Sequence, residues 1–221
     1  MLLEKESRYG ACLVAPDLLL TALHGHGPFP QSGYLAILSQ GQPPKFERFD
    51  AAAMGTTTPL PSGKAQGDRN TLESIVADAR IHRDDWSLLR LRGPDQLCCL
   101  PPPLGVASAG DTVRIVRFVA DDERSLISSG ALQAVIGEVL QIDVSDWPEE
   151  LFVVRLEVDA IGSAMGPGSS GAPVFAHSLG EASTSKLVGI YLGKFTVDHD
   201  GRLEILALVR RVPRAEIERF Q

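Results

Sequence analysis

Apolar positions along this chain fall in short blocks rather than in long helical stripes. Ala11–Ala15, Leu18–Leu23, Tyr34–Ser39, Ser74–Ala79, Trp86–Arg92, Thr112–Val119, Ala134–Ile142, Phe152–Asp159, Leu187–Leu192 and Leu203–Val209 are rich in Val, Ile and Leu and are set apart by turn-forming residues. That pattern predicts β-strands joined by tight connections. One segment differs: Pro213-Arg-Ala-Glu-Ile-Glu-Arg-Phe220 has proline near its start and Ala215, Ile217 and Phe220 at roughly helical spacing, which predicts a terminal helix. Between Gln40 and Asn70 the chain turns to Gly, Pro, Thr and Ala, the composition of long loops, with one strand at Lys45–Phe49. Asp198-His-Asp-Gly201, between two apolar runs, reads as a hairpin turn.

The expected class is all-β, closed by one α-helix. Leu100-Pro-Pro-Pro-Leu104 reads as a linker, because three prolines cannot join a central sheet and favour a stiff, extended path. It divides the chain into residues 1–99 and 105–221, with 100–104 between them.

Composition narrows the function. At 221 residues, 44% hydrophobic and 22% charged, the chain has the make-up of a soluble globular protein able to bury a sizeable core. A net charge of −7 with scattered Lys and Arg argues against nucleic acid, whose binders carry basic patches that neutralise phosphate. The N-terminal Met-Leu-Leu-Glu-Lys-Glu-Ser-Arg shows no secretion signal. The richest apolar stretch, Cys12 to Leu23, is broken by Pro16-Asp17 and is too short for a membrane span. Cys12, Cys98 and Cys99 form no metal or redox motif. A reduced, cytoplasmic setting is expected, with a mature secreted form left open. His24-Gly-His26 lacks the cysteine or carboxylate cluster of a metal site, so no metal or cofactor is expected.

The stretch Gly166-Pro-Gly-Ser-Ser-Gly-Ala-Pro-Val-Phe175 packs glycines and prolines around two serines, as a tight turn or a site built from backbone amides requires. Cys12-Leu-Val-Ala-Pro-Asp-Leu-Leu-Leu-Thr-Ala-Leu-His24, Asp84-Asp85-Trp-Ser-Leu-Leu-Arg-Leu91, Gly168-Ser-Ser-Gly-Ala-Pro-Val174 and Leu187-Val-Gly-Ile190 resemble, in order, four motifs of the chymotrypsin-like (trypsin-fold) serine proteases. These are the Thr-Ala-Ala-His segment, Asp-Ile-Ala-Leu-Leu-Lys-Leu, Gly-Asp-Ser-Gly-Gly-Pro-Val and the Leu-Val-Gly-Ile strand. An α/β-hydrolase order using His177 or His199 fails, because Ala172 stands at the second glycine of the required elbow and a strand-like run follows.

The resemblance implies two six-stranded antiparallel Greek-key barrels with a C-terminal helix, and a serine endopeptidase acting on protein or peptide substrates. His24 would take the proton of Ser170, Asp85 would orient His24, and the N–H groups of Gly168 and Ser170 would form the oxyanion hole. Asp84 is expected to be solvated. The primary pocket would be set by Ala164, six positions before the nucleophile, and by Glu204 on the last strand. That pair implies cleavage after Lys or Arg, or after large apolar residues; the rival reading leaves Glu204 on an edge strand facing solvent.

Departures from the family are as informative. Ser169 stands where secreted members place an aspartate that pairs with a newly cut N-terminus, so activation without N-terminal cleavage is expected, by packing, substrate, or an activating domain or partner. Tyr191 and Leu192 lie where a serine commonly supports the aspartate. The alternative function is a protease-fold binding or scaffold module without activity.

Overall fold

The computed structural model describes residues 10–25, 32–37, 45–54, 79–92, 100–120, 130–157, 165, 168–176, 185–199 and 202–220. In the first half, β1 (Ala11–Ala15), β2 (Leu18–Thr21), β3 (Ser32–Ile37), β4 (Lys45–Met54) and β5 (Ser87–Arg92) make an antiparallel sheet of order β1-β2-β5-β4-β3. In the second, β6 (Thr112–Ala120), β7 (Gly130–Val139), β8 (Leu151–Leu156), β9 (Pro173–Ala176), β10 (Leu187–His199) and β11 (Arg202–Arg211) close into an antiparallel barrel of order β10-β11-β8-β7-β6-β9. The short β9 closes the ring by pairing with both β6 and β10. Its Pro173 occupies the first position of the strand, where a missing N–H is tolerated. A helix, Arg214–Phe220, ends the fold.

β8 reads as a nearly unbroken apolar run because both of its faces are covered. On β8, Phe152, Val154 and Leu156 pack with Val113, Ile115, Val174 and Val209 in one cluster. The alternate residues Leu151 and Val153 join Leu206 and Leu208 of β11, Val14, Leu18 and Leu20 of the first sheet, and Ile217 of the helix in another. Period-2 alternation thus sends one set of side chains into the barrel and the other into the seam between the halves. Arg90 of β5 donates to the carbonyl of Phe220, which ties the first sheet to the end of the helix.

Several expected elements shift. The strand expected to reach Leu23 ends at Thr21, and Leu23–Gly25 forms a 3-10 turn. Its cause is the side chain of Asp85, which draws the His24 N–H out of any ladder. Of the strand expected over Ser74–Ala79, residues 74–78 lie outside the described set, and Ala79 belongs instead to a helical stretch over residues 79–82. Such a stretch can form because Ala, Arg and Ile tolerate helical dihedrals well enough when tertiary contacts demand them. The loop expected after Phe49 is strand as far as Met54, since β5 supplies its ladder from Arg92 to Leu88. β7 starts earlier than expected, at Gly130, because β6 pairs with it through Ala120↔Gly130 although residues 131–134 face solvent. β10 runs past Leu192 to His199 in a long hairpin with β11, and the pair His199↔Arg202 leaves two residues between the strands. Leu100-Pro-Pro-Pro has no regular structure, and Leu104 bridges to Leu187.

Ile217 is fully buried in the seam, so its removal reports how firmly the helix closes the two halves. Ile217→Ala is expected to cost about 2–5 kcal/mol, measured by denaturant unfolding; a loss below about 1 kcal/mol would mean the helix is an appendage.

Candidate functional site

Asp85 is the centre of the site. Its side chain is fully buried and sits in a tight turn closed by Asp85 N–H to His82 C=O (3.1 Å) and Trp86 N–H to Asp84 C=O (2.9 Å). Trp86, itself buried, starts the run that becomes β5. Oδ1 accepts the backbone N–H of His24 at 2.9 Å, and Oδ2 lies 2.6 Å from His24 Nδ1. Oδ2 also lies 2.5 Å from Nδ1 of His82. Burial on its own pushes a carboxyl up; the hydrogen bonds and charges of His24 and His82 outweigh it and hold Asp85 well below the usual carboxylate range.

The tautomer of His24 follows. An ionised carboxylate only accepts, so Nδ1 carries the proton and, in the neutral ring, Nε2 is the acceptor. Nε2 lies 2.8 Å from Ser170 Oγ, so the serine hydroxyl donates to it. Residues 24, 85 and 170, distant in sequence, thus form one hydrogen-bonded chain ending in a hydroxyl.

The turn carrying Ser170 is held from both halves. Gly10 N–H donates to Ser170 C=O at 2.6 Å, Gly171 N–H to Tyr191 C=O at 2.8 Å, and Ala172 N–H to Ser169 C=O at 2.9 Å. Thr21 Oγ donates to Gly10 C=O at 2.7 Å, so β2 buttresses the same contact. Only glycine fits at 171: its φ is +81°, and a Cβ there would lie 2.1 Å from Gly10 O. Gly168 has φ +86°, also a glycine conformation. Among the described residues neither Gly168 N–H nor Ser170 N–H has a hydrogen-bond partner within the protein.

The adjacent serines are therefore distinguished by their surroundings. Ser169 is buried and its Oγ accepts from Arg117 at 3.1 Å, while Ser170 alone meets His24. Asp84 is exposed, facing Arg83 at 3.3 Å. Glu204, on the β11 face shared with Leu206 and Leu208, lies 3.9 Å from Arg155, which holds Glu138 more closely at 2.7 Å. Ala164, His26 and His177 lie outside the described residues. Tyr191 and Leu192 are buried apolar packing, and neither bonds Asp85.

His82 is the residue that the motifs did not reveal. Its signal was its place three positions before Asp85, within reach of a carboxylate in a one-turn geometry. His24, His82 and Asp85 bring one nitrogen or oxygen each within 4.8 Å of one another, a spacing that cation sites share. The contacts of 2.5 and 2.6 Å need an N–H proton on each ring, however, whereas a cation needs those nitrogens deprotonated. The constellation is a hydrogen-bonded cluster. Cys12 is a buried free thiol whose pKa desolvation pushes up to about 12, so it stays protonated and does not form the nucleophilic thiolate. No helix among the described residues is long and apolar enough to cross a membrane.

No protein-family model and no curated protein matches the sequence. Among solved structures the chain is similar to neuropsin, a serine protease expressed in the limbic system of mouse brain, at 18% identity and a TM-score of 0.59, with 96% of this chain and 88% of that one covered. The fold is therefore that of the trypsin-like serine proteases.

The state of Asp85 has a consequence for stability. A carboxyl held below its unfolded value, about 3.9 for Asp, takes up its proton less readily in the folded protein than in the unfolded chain. Its contribution to stability is complete above that value and is lost as pH falls through the folded one. The gap in melting temperature between the wild type and Asp85→Asn is expected to be widest near neutrality and to narrow below about pH 4. A constant gap down to strong acid would mean that the carboxylate is not held in this way.

Proposed function

We propose that the protein is a serine endopeptidase that hydrolyses peptide bonds of protein substrates through an acyl-enzyme intermediate. The observation that carries this reading is the 2.8 Å approach of Ser170 Oγ to His24 Nε2, on a ring whose other nitrogen is held by a buried carboxylate at 2.6 Å. A serine hydroxyl is a poor nucleophile until a base takes its proton. Ser170 Oγ attacks the scissile carbonyl as its proton passes to His24 Nε2, and Asp85 stabilises the imidazolium that forms. The carbonyl oxygen becomes an oxyanion facing the unpartnered N–H groups of Gly168 and Ser170, each worth roughly 10²–10³ in turnover. Collapse breaks the C–N bond, and the amine leaves with the proton from His24. Water, deprotonated by the same nitrogen, then releases the acyl group from Ser170.

On this reading the first-half sheet completes a second six-stranded barrel, and residues 1–99 and 105–221 are the two lobes that meet at the site. The likeness to a solved serine protease over nearly the whole chain supports that architecture. No N-terminal cut is needed, because Ser169 already has an internal partner in Arg117. The partner of the site is a protein or peptide substrate, with further ordering of the oxyanion turn open to an attached domain.

Ser170→Ala is expected to abolish peptide hydrolysis with the fold intact, and Ser169→Ala to retain measurable activity. The reverse behaviour would move the nucleophile. Asp85→Asn is expected to lose about 10⁴-fold in turnover, because the amide imposes the wrong tautomer on His24.

Specificity rests on Glu204 and Ala164. Arg155 meets Glu204 only at the limit of an ion pair, which leaves the carboxylate able to receive a cationic side chain. Cleavage after Lys or Arg, or after large apolar residues, is expected. Glu204→Gln profiled on a peptide library should lose the basic component; an unchanged preference would remove Glu204 from the pocket, and cleavage after acidic residues would overturn the assignment.

A further inference from the structure

Asp85 accepts its side-chain hydrogen bonds from nitrogen alone: the His24 backbone, the His24 ring and the His82 ring. Among the described residues no hydroxyl hydrogen-bonds to it. The His82 contact is the shortest of the three, at 2.5 Å. It falls on the same oxygen, Oδ2, that holds His24 Nδ1. The two rings meet edge to face, with centroids 5.6 Å apart and planes at 70°. His82 is about one quarter exposed at its side chain, while that of Asp85 is fully buried.

We propose that His82 is a positioning residue of this site. By donating Nδ1–H to Asp85 Oδ2 it fixes the plane of the carboxylate and shares the oxygen that orients His24, in the peptidase reading given above. Two consequences follow from chemistry. A donor on Oδ2 limits rotation of the carboxylate, so His24 stays aligned on Ser170. It also draws charge from the oxygen that stabilises the His24 imidazolium, so the carboxylate holds that cation less tightly than it would alone. Both the neutral and the protonated forms of His82 act in this direction, since each donates from Nδ1 and the protonated form adds like charge near His24. The other charged groups of this turn are engaged elsewhere: Arg80 with Asp146 at 2.7 Å and Arg83 with Asp84 at 3.3 Å. Glu150 and Arg210 act on that second pair. The ionisable groups in contact with His82 among the described residues are Asp85 and His24.

The test is the pH profile of peptide hydrolysis by the wild type, His82→Ala and His82→Asn. Removing the donor tightens the hold of Asp85 on protonated His24, so more alkaline conditions are needed to free the base. In His82→Ala the acid limb of kcat/KM is expected to move up by about one pH unit. Its kcat should fall by between about tenfold and about 10²-fold from misalignment, with KM unchanged. His82→Asn, whose amide nitrogen stands near the place of Nδ1, should restore most of both. A His82→Ala enzyme with the wild-type limb and kcat would overturn the role, as would one that is merely less heat-stable with its limb unmoved. Should the alanine variant not fold, proton NMR of the wild type decides. Two hydrogen-bonded imidazole N–H resonances far downfield are expected, and a single one overturns the proposal. A wild type that leaves peptides uncut fails the peptidase reading itself, whereas an active wild type beside an unaltered His82→Ala fails only His82.

Discussion

Everything at this site hangs on one buried carboxylate. Moving Asp85 out of water costs several kcal/mol unless its lone pairs are met, and the protein meets them with three N–H donors from two separate segments. That requirement explains features that propensity does not. β2 stops at Thr21 and the chain coils into a 3-10 turn so that both the backbone and the ring of His24 can face Asp85. Residues 79–82 are helical, which carries His82 back over the carboxylate it precedes. The carboxylate is thus a structural fastener as well as the group that sets the proton on His24. Removing it would release two turns and both imidazoles together.

A second constraint brings Ser170 to that imidazole. His24 and Asp85 belong to the first half and Ser170 to the second, so a hydrogen bond of 2.8 Å between them demands a rigid seam. The seam is apolar in bulk, built from Leu18, Leu20, Leu88, Leu151, Val153, Leu208 and Ile217. Polar contacts hold it at the turn of Ser170: Gly10 N–H on Ser170 C=O, and Thr21 Oγ on Gly10 C=O. At Gly171 the main chains approach so closely that no Cβ fits. Burial supplies the energy of the seam, and these few directional contacts supply its register.

Much of this was legible in the sequence. The runs around His24, Asp85 and Ser170 were readable because their chemistry demands fixed residue types beside fixed turns, and the strands that flank them are strongly apolar. The choice of Ser170 over Ser169 came from resemblance and has its physical reason in the burial of Ser169 against Arg117. What the chain concealed depends on tertiary pairing. β7 begins in exposed residues whose strand character comes from β6, and the long arm of β10 past Leu192 owes its length to β11. His82 was hidden for a similar reason: a single histidine in a polar turn has no motif, and its role exists only once the turn folds it onto Asp85. The account of Glu204 rested on register, and its neighbour Arg155 comes from β8, distant in sequence.

The central claim is that this relay makes Ser170, and no other hydroxyl, a nucleophile. Treating the folded protein with a serine-directed fluorophosphonate and mapping the adduct by peptide mass spectrometry tests it most directly. The account requires one adduct per chain, on Ser170, formed in the wild type, formed about 10⁴-fold more slowly in Asp85→Asn, and lost on unfolding. A wild type that stays unlabelled, or an adduct on Ser169 or elsewhere, would contradict it.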